Sequence, residues 1–509
     1  MSHVAFRWTG IFSVVAALLS ACTSTAATGP DGASESAAAS TVALKVMQFN
    51  IEYGGDRVDF GSVSKAIEAA DADVVAIQEG YAKMPEIAAD LGWDYYDTRT
   101  QTVSKYPLLT PSGPQGGLLY VELEGGVVAL YNVHLPSTAY GPNKVLAGES
   151  AEEVLARESR GRLSALQPIL DVAMSTVDEN IPTVVLGDFN APSHRDWTEQ
   201  TVGLREQVLY PLEWPTSVAA EAAGLLDVYR SIHPDPVENP GLTWPASRPF
   251  VKGYNPGPAG KPADRIDLMY VGGAAVPTAV SIVGEKSSEL TDIPVSPWPS
   301  DHRAVVATLD VVPGVPDPLV SIDQRVVETG VQVGIRYLTR TADAATIALT
   351  PSGDTREQAV LEEPVTDPSQ GSWDLPSGQL SPGAYDVLLL AEDERELAQT
   401  TLWLVTPGTK PAVTTDAKTY AVDESIQVSW ELSPGNRWDW IGIYKQGADP
   451  NIAYYKLWAY TDATITGSTT LDGDSASGKW PLPPGEYSVY LLADDSYVKL
   501  AGSDFTIKD

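Results

Sequence analysis

The stretch "TVVLGDFNAP", residues 183–192, decides how this chain is read. Apolar and β-branched residues run into Gly187; then come Asp188, Phe189 and Asn190, with Pro192 just beyond. In a strand, side chains at i and i+2 point to the same face. Asp188 and Asn190 therefore look one way, and Phe189 looks the other way into a core. A carboxylate and a carboxamide presented together at a strand end suit a catalytic rim. Asp, Asn, Gly and Pro are also the common turn formers, so the stretch alone reads first as a turn. The rest of the chain has to choose.

The surroundings predict a mixed α/β domain over residues 42–312. "ALKVMQFNI" reads as a strand, "FGSVSKAIEAADA" as a helix, "DVVAIQE" as a strand and "YAKMPEIAADLG" as a second helix. "GGLLYVEL" and "GGVVALYNVHL" read as a hairpin turning at Glu124-Gly125-Gly126. "SAEEVLARESRGRLSALQPILDVAM" reads as one long amphipathic helix that delivers the chain to "TVVLGDFN". "RIDLMYVG" and "AVVATLDVV" are later strands. Residues 195–260 form a Pro- and Trp-rich loop region with little periodicity, expected to shape substrate access.

"PGVPDP" (313–318) reads as a linker. Beyond it short strands and Gly/Pro turns run to the end, and the segment repeats. "LSPGAYDVLLLAED" (380–393) matches "LPPGEYSVYLLADD" (482–495), and "TIALTPSG" (346–353) matches "WIGIYKQG" (440–447). An offset of about one sandwich domain argues for two tandem immunoglobulin-like β-sandwiches, 319–406 and 412–509.

At the other end, Arg7 precedes the apolar run "IFSVVAALLSA", and "LSAC" closes it on Cys22, the one cysteine of the chain. The run is too short for a confident span and reads as a signal peptide, residues 1–22, with a lipobox whose Cys22 becomes the lipid attachment site. An ordinary signal peptide cleaved nearby is the alternative. Residues 23–41, rich in Ala, Ser, Thr and Gly, read as a disordered tether. The expectation is an exported monomer, lipid-anchored to the outer face of a bacterial cytoplasmic membrane. A single cysteine excludes an intrachain disulfide. The length of 509 residues leaves room for several domains, and the net charge of −34 repels phosphodiester backbones unless a basic cleft or metal ions intervene.

Five histidines remain to be placed: His3, His134, His194, His233 and His302. His134 in "YNVHLP" and His302 in "PSDHRAVV" sit at strand edges beside polar partners, where histidine can exchange protons near neutral pH. Glu79 closes "DVVAIQE", Asn50 closes "VMQFN", Asp267 interrupts "RIDLMY", and Asp301 precedes His302. Burying such groups singly costs several kcal/mol. Clustered around a divalent cation they are tolerated, and oxygen donors of this kind favour Mg²⁺, Mn²⁺ or Ca²⁺ over zinc.

The ordered series Asn50 in "QFNIE", Glu79 in "IQE", His134 in "NVHL", Asp188 and Asn190 in "GDFN", Asp267 in "RID" and Asp301-His302 in "SDH" resembles the endonuclease/exonuclease/phosphatase (DNase I-like) superfamily. The match spans residues ~45–310, about half the chain. "SKYPL" (104–108) is similar to a further family element. The resemblance implies a four-layer α/β sandwich with the site at the rim where strand ends meet, followed here by the two all-β sandwiches. It implies Glu79 as metal ligand with Asn50 beside it and Asp301 assisting. Asp188 would orient or deprotonate the attacking water, and Asn190 would hold a phosphoryl oxygen. His302, oriented by Asp267, would contact the scissile phosphate, with His134 as the second catalytic histidine. The cofactor expected is Mg²⁺, or Mn²⁺ or Ca²⁺.

Other residues are weaker candidates. Arg157, Arg160 and Arg162 could reach a phosphate but read as a solvated helix face. His194 could line the site but reads as a loop histidine. Trp214 and Trp244 could stack on substrate but read as loop anchors. The implied substrate is a phosphate ester: nucleic acid, phospholipid or small ester. The 5-phosphatase branch carries a Trp-Cys-Asp-Arg element, whereas this chain has "KPADRIDLMY". The final domain, with "DWIGIYKQGADPNIAYYKLWAY", resembles a SKICH module. Two alternatives stand beside the phosphoesterase: a DNase-type endonuclease, and a non-catalytic surface binding protein with a vestigial catalytic domain.

Overall fold

A computed structural model describes residues 40–111, 117–249, 262–473 and 477–509. Cys22, the segment read as a signal peptide and nearly all of the segment read as a tether lie outside the described residues. No helix among the described residues is long and apolar enough to cross a membrane.

Alternation along the strands builds the first domain. A seven-stranded sheet runs in the order 293–295, 275–285, 304–311, 42–50, 74–78, 102–104, 95–97. A six-stranded sheet runs 108–109, 118–123, 126–134, 183–188, 267–272, 226–227. The inward residues Leu44, Val46, Val74, Ala76, Val128, Leu130, Val184, Leu186, Met269 and Val271 form one apolar core between the sheets. Their neighbours look outward to helices. Met47, Phe49 and Ile77 meet helices Gly61–Ala70 and Met84–Leu91 through Ile67 and Ile87. Tyr131, Val133, Val185 and Phe189 meet helix Ser164–Asp178 through Leu166 and Ile169. Four layers result, α/β/β/α, as the resemblance implies; the strand ends at Asp188, so Phe189 packs into the core just beyond it and Asn190 turns back in left-handed backbone.

The long helix differs from its sequence reading. It divides into Ala151–Glu158, a π turn Ser159–Leu163 containing Gly161, and Ser164–Asp178. The extra residue of a π turn rotates the helix beyond it about its axis. Arg162 consequently turns inward: its Nη1 donates to Glu158 Oε1 at 2.6 Å and its Nη2 to Thr138 O at 3.1 Å, with the side chains of Arg162 and Glu158 buried. The solvated-face reading fails for Arg162. It holds for exposed Arg160, and Arg157 bonds Glu149 at 2.5 Å.

The Pro- and Trp-rich region is also more ordered than its weak periodicity suggests, with helices Pro215–Ala222 and Val228–Ile232. Its core is Trp197, Trp214, Val145, Val154, Val208 and Leu212, which makes Trp214 an anchor. Residues 250–261 of the expected access loop lie outside the described residues. His194 caps this region, its Nδ1 2.9 Å from Ser217 Oγ.

Two sandwiches follow. Strands 319–322, 332–338 and 370–376 face a five-stranded sheet of 326–328, 396–405, 383–391, 344–351 and 361–364. Strands 412–415, 426–431 and 467–471 face a six-stranded sheet built on 485–492 and 499–508. The repeated stretches form equivalent strands in each: 383–391 and 485–492, 344–351 and 440–445.

Both sandwiches grip the first domain. Arg99 Nη2 donates to Ile322 O at 3.1 Å, and Thr110 N to Ser321 Oγ at 2.8 Å. Arg437 N donates to Arg99 O at 3.1 Å, and the Arg437 guanidinium bonds Asn132 O.

Asp264 offers a test of this interior. It accepts from Trp197 Nε1 at 3.0 Å and from Tyr140 OH and Gln207 Nε2 at 3.1 Å each, fully buried. Burial outweighs these donors and Arg205, pushing the carboxyl from 3.8 up to about 6. A folded-state value raised above the unfolded one contributes stability that is complete below the unfolded value and lost as pH rises through the folded one. The stability of the native protein relative to Asp264→Asn should therefore fall by up to about 3 kcal/mol between pH 4 and pH 7. Denaturant midpoints measured across that range check this; a difference independent of pH refutes it.

Candidate active site

Each inward-facing row of apolar side chains ends in a polar group at the same end of the sandwich. The row Leu44, Val46 continues to Gln48 and Asn50; Val74, Ala76 to Gln78; Val128, Leu130 to Asn132 and His134; Val184, Leu186 to Asp188. Strand register brings these ends together. His134 pairs with Asp188 in the parallel ladder between 126–134 and 183–188, and Asp188 pairs with Asp267 in the antiparallel ladder to 267–272.

Gly187 makes the register possible. It sits at φ +142°, and a Cβ there would lie 1.9 Å from Val133 O. The motif needs glycine because the neighbouring backbone occupies the space a side chain would take.

Asp188 is the hub, buried and bonded on both oxygens. Asn190 N donates to its Oδ1 at 2.7 Å; Asn190 Nδ2 and Asn50 Nδ2 each donate to its Oδ2 at 3.1 Å. His134 Nε2 and His302 Nε2 approach that same Oδ2, at 3.8 and 3.7 Å. Burial pushes the Asp188 carboxyl up, against the two imidazoles that pull it down. Asn190, in left-handed backbone at φ 48°, also donates to Leu135 O at 3.0 Å. Both protons of its amide are thus engaged in bracing the hub.

His302 is oriented through Nδ1, 2.9 Å from Asp267 Oδ2. Asp267 is fixed in turn by Gln48 Nε2 at 2.5 Å on Oδ1 and by its own N–H to Thr243 Oγ1 at 3.1 Å. Burial works against the imidazolium, but Asp267 and Asp188 outweigh it and hold His302 well above the usual histidine range. His134 is likewise opposed by burial and then raised to about 9 by Asp495, Asp188 and Glu79.

A second group of acids lies alongside. Glu79, at φ 55°, accepts from Tyr53 N at 2.9 Å and from Asn50 Nδ2 at 3.4 Å. Burial and the nearby charge of Asp301 raise its carboxyl. Glu52 accepts from Asp301 N at 3.1 Å and from Arg248 Nη2 at 2.7 Å; burial and Asp301 push it up to about 7. Asn50 turns its Oδ1 to Glu52 N at 3.1 Å. Asp301 accepts from Trp244 Nε1 at 3.3 Å, and the Trp244 ring stands 6.3 Å from His302. Trp244 thus lines the site, whereas Trp214 and His194 do not.

The eight residues that the family resemblance implies as site residues in the first domain meet at this rim: Asn50, Glu79, His134, Asp188, Asn190, Asp267, Asp301 and His302. Sequence reading passes over Gln48, Glu52, Arg248 and Asp495. Gln48 and Glu52 are within its reach, because they share the alternation of Asn50 in "QFNIE"; Arg248 carries no periodic signal.

The donor set fits a divalent cation: one atom each from Asp188, Asp267 and His302 lies within 4.8 Å of one another, all three residues buried. Glu52 and Glu79 are raised by burial and by the charge of Asp301, a repulsion that a hard cation among their oxygens would remove.

The model of the Endonuclease/Exonuclease/phosphatase family matches residues 47–302, half of the chain. The uncharacterized Caenorhabditis elegans protein F14F9.5 is 31% identical over 289 residues, 52% of this chain and 90% of its own length. Among solved structures, an endonuclease/exonuclease/phosphatase from Beutenbergia cavernae is 17% identical, with a TM-score of 0.32, covering 71% of this chain and 100% of its own. An AP endonuclease from Archaeoglobus fulgidus is also 17% identical, with a TM-score of 0.33, covering 53% and 100%.

Replacing Gly187 by Ala should destabilise the protein by more than about 2 kcal/mol, through backbone strain plus the displaced strand. It should also cost activity out of proportion to the folded fraction, because His134 and Asp188 depend on that contact. Chemical denaturation checks the first expectation; a variant as stable as the native protein sinks the close-approach argument.

Proposed function

The chain belongs to the endonuclease/exonuclease/phosphatase family, whose members are generally hydrolases acting on phosphate esters, and on that premise we propose that it is a divalent-metal-dependent phosphoesterase of the cell exterior. The observation that carries the reading is the convergence of two imidazole Nε2 atoms on one oxygen of Asp188. Both rings are held toward the cationic form by carboxylates, so each offers an N–H to a phosphoryl oxygen and a proton to a leaving group.

Asp188 sits between them as the acceptor that orients an attacking water. Its oxygens are pinned by Asn190 and Asn50, so it is preorganised for that role. Asp267 keeps His302 Nδ1 occupied and leaves Nε2 facing the reacting centre. A divalent cation, Mg²⁺, Mn²⁺ or Ca²⁺, would be held by Glu79 and Asp301 with Asn50 beside it, and would supply charge neutralisation and Lewis acidity at the phosphoryl group. Trp244 gives the substrate an aromatic edge beside His302.

Attachment through Cys22 to the outer face of a bacterial membrane is part of the same proposal, supported by the "LSAC" signature and the apolar run before it. The substrate is a phosphodiester or phosphomonoester, and the strongly acidic chain favours ligands that do not require a broad basic surface.

The test uses protein beginning at residue 23, with plasmid DNA, bis(p-nitrophenyl) phosphate and p-nitrophenyl phosphate, each with Mg²⁺ or Mn²⁺. Hydrolysis of at least one should require the metal and fall by about 100- to 10,000-fold in His302→Ala. Mg²⁺ or Mn²⁺ should raise the Tm, and Glu79→Ala should abolish that shift. Plasmid nicking would identify a nuclease. Absence of both turnover and metal shift would reject the enzyme in favour of a binding protein.

A further inference from the structure

His302 receives its orienting carboxylate from a neighbouring strand of its own domain. His134 does not. Its Nδ1 lies 3.1 Å from Asp495 Oδ2, a residue 361 positions further along the chain in the second sandwich. Asp495 belongs to the turn 493–498 that joins strands Gly485–Leu492 and Lys499–Lys508.

The turn is built to hold that position. Asp494 and Asp495 are both left-handed, at φ 46° and 59°. On the sandwich side, Asp494 N donates to Asp439 Oδ1 at 3.0 Å, Asp495 N to Trp438 O at 2.8 Å, and Trp440 Nε1 to Ser496 O at 2.9 Å. On the catalytic side, the fully buried Asp494 carboxylate accepts from Gln101 Nε2 at 2.9 Å and Ala82 N at 3.2 Å. Gln101 Oε1 in turn accepts Gly80 N at 2.7 Å, directly after Glu79. Arg437, half-buried, bonds the carbonyl of Asn132, two residues before His134. The second oxygen of Asp495 accepts from Tyr460 OH at 3.3 Å, so the carboxylate is held at both ends.

The first sandwich provides an internal comparison. Its equivalent turn also carries two adjacent acids, Glu392 and Asp393, in the matched stretch "LSPGAYDVLLLAED". Both are exposed, and Asp393 bonds only the neighbouring Arg395 N, at 3.2 Å, among the described contacts. The acid pair is common to both copies; contact with the rim belongs to the second.

We propose that Asp495 is a positioning residue for His134: by accepting the Nδ1 proton it fixes the ring so that Nε2 faces Asp188, and the catalytic centre is therefore completed by a residue of the C-terminal sandwich. The inference rests on the reading of His134 as a site histidine. It makes the second sandwich part of the enzyme rather than a spacer.

The variants are Asp495→Asn, Asp495→Glu and Asp393→Asn in the mature full-length chain. Asn tolerates left-handed backbone, so the turn is retained. With bis(p-nitrophenyl) phosphate and Mn²⁺, Asp495→Asn should lower kcat by about 10- to 100-fold with KM little changed, Asp495→Glu should restore most of the rate, and Asp393→Asn should match the native enzyme. Independently of turnover, protein labelled with ring-¹⁵N histidine should show two strongly deshielded Nδ1 protons. They belong to the His134–Asp495 and His302–Asp267 pairs and are assigned with His134→Gln. Asp495→Asn should remove or move upfield the His134 signal alone. A His134 signal unmoved by Asp495→Asn overturns the inference whatever the rates do. If the native protein hydrolyses nothing, the phosphoesterase reading falls while this signal still decides the positioning role.

Discussion

The close approach of two strand backbones at Gly187 and Val133 governs the rest of the first domain. It allows strands 126–134 and 183–188 to run parallel in a register that sets His134 opposite Asp188. The antiparallel ladder on the other side then sets Asp267 opposite the same residue. A slip of one residue would turn every inward side chain outward, dispersing the rim and unburying the inter-sheet core together. Packing and chemistry are therefore specified by one alignment. The apolar rows that stabilise the sandwich are the same rows that end in functional groups.

That arrangement concentrates unfavourable charge. Asp188, Glu79 and Glu52 are all pushed up by burial, and Glu79 and Glu52 also by Asp301, while the two histidines are raised against burial by the neighbouring acids. Each acid is matched by fixed donors: the amides of Asn50 and Asn190, the backbone N–H groups of Tyr53 and Asp301, and the guanidinium of Arg248. Away from the rim the domain handles buried charge differently. Asp196 sits between Arg230 and Arg265, at 2.6 and 2.9 Å, a closed ion pair that leaves nothing for a ligand. The rim keeps acids in excess, and that excess separates a site from a structural network.

Much of this is legible in the chain itself. A strand buried on one face announces its polar end clearly, because apolar alternation leaves Asn50, His134, Asp188 and Asp267 nowhere else to point. Local signals fail where the cause is not local. The π turn at Ser159–Leu163 inserts one residue without disturbing the amphipathic pattern enough to be noticed, so the pattern places Arg162 in solvent. The helices Pro215–Ala222 and Val228–Ile232 are too short to show a period. Asp495 is visible only as half of a repeated Ala-acid-Asp turn; what distinguishes it from Asp393 is docking, which depends on Arg437, Asp494 and Gln101 meeting across a domain boundary.

Arg99 has a further consequence. Its side chain reaches the first sandwich through Ile322 O, and its backbone carbonyl receives Arg437 N of the second. Val127 and Gly314 exchange backbone hydrogen bonds at the start of the linker, and Arg325 Nη1 ties the two sandwiches through Ala463 O at 2.9 Å. Three modules are thus wired at several points. Opening any one module exposes buried partners in the other two. Among the described residues a sandwich edge is therefore joined to the rim by a continuous run of fixed hydrogen bonds, and the terminal strands serve as a brace rather than an appendage.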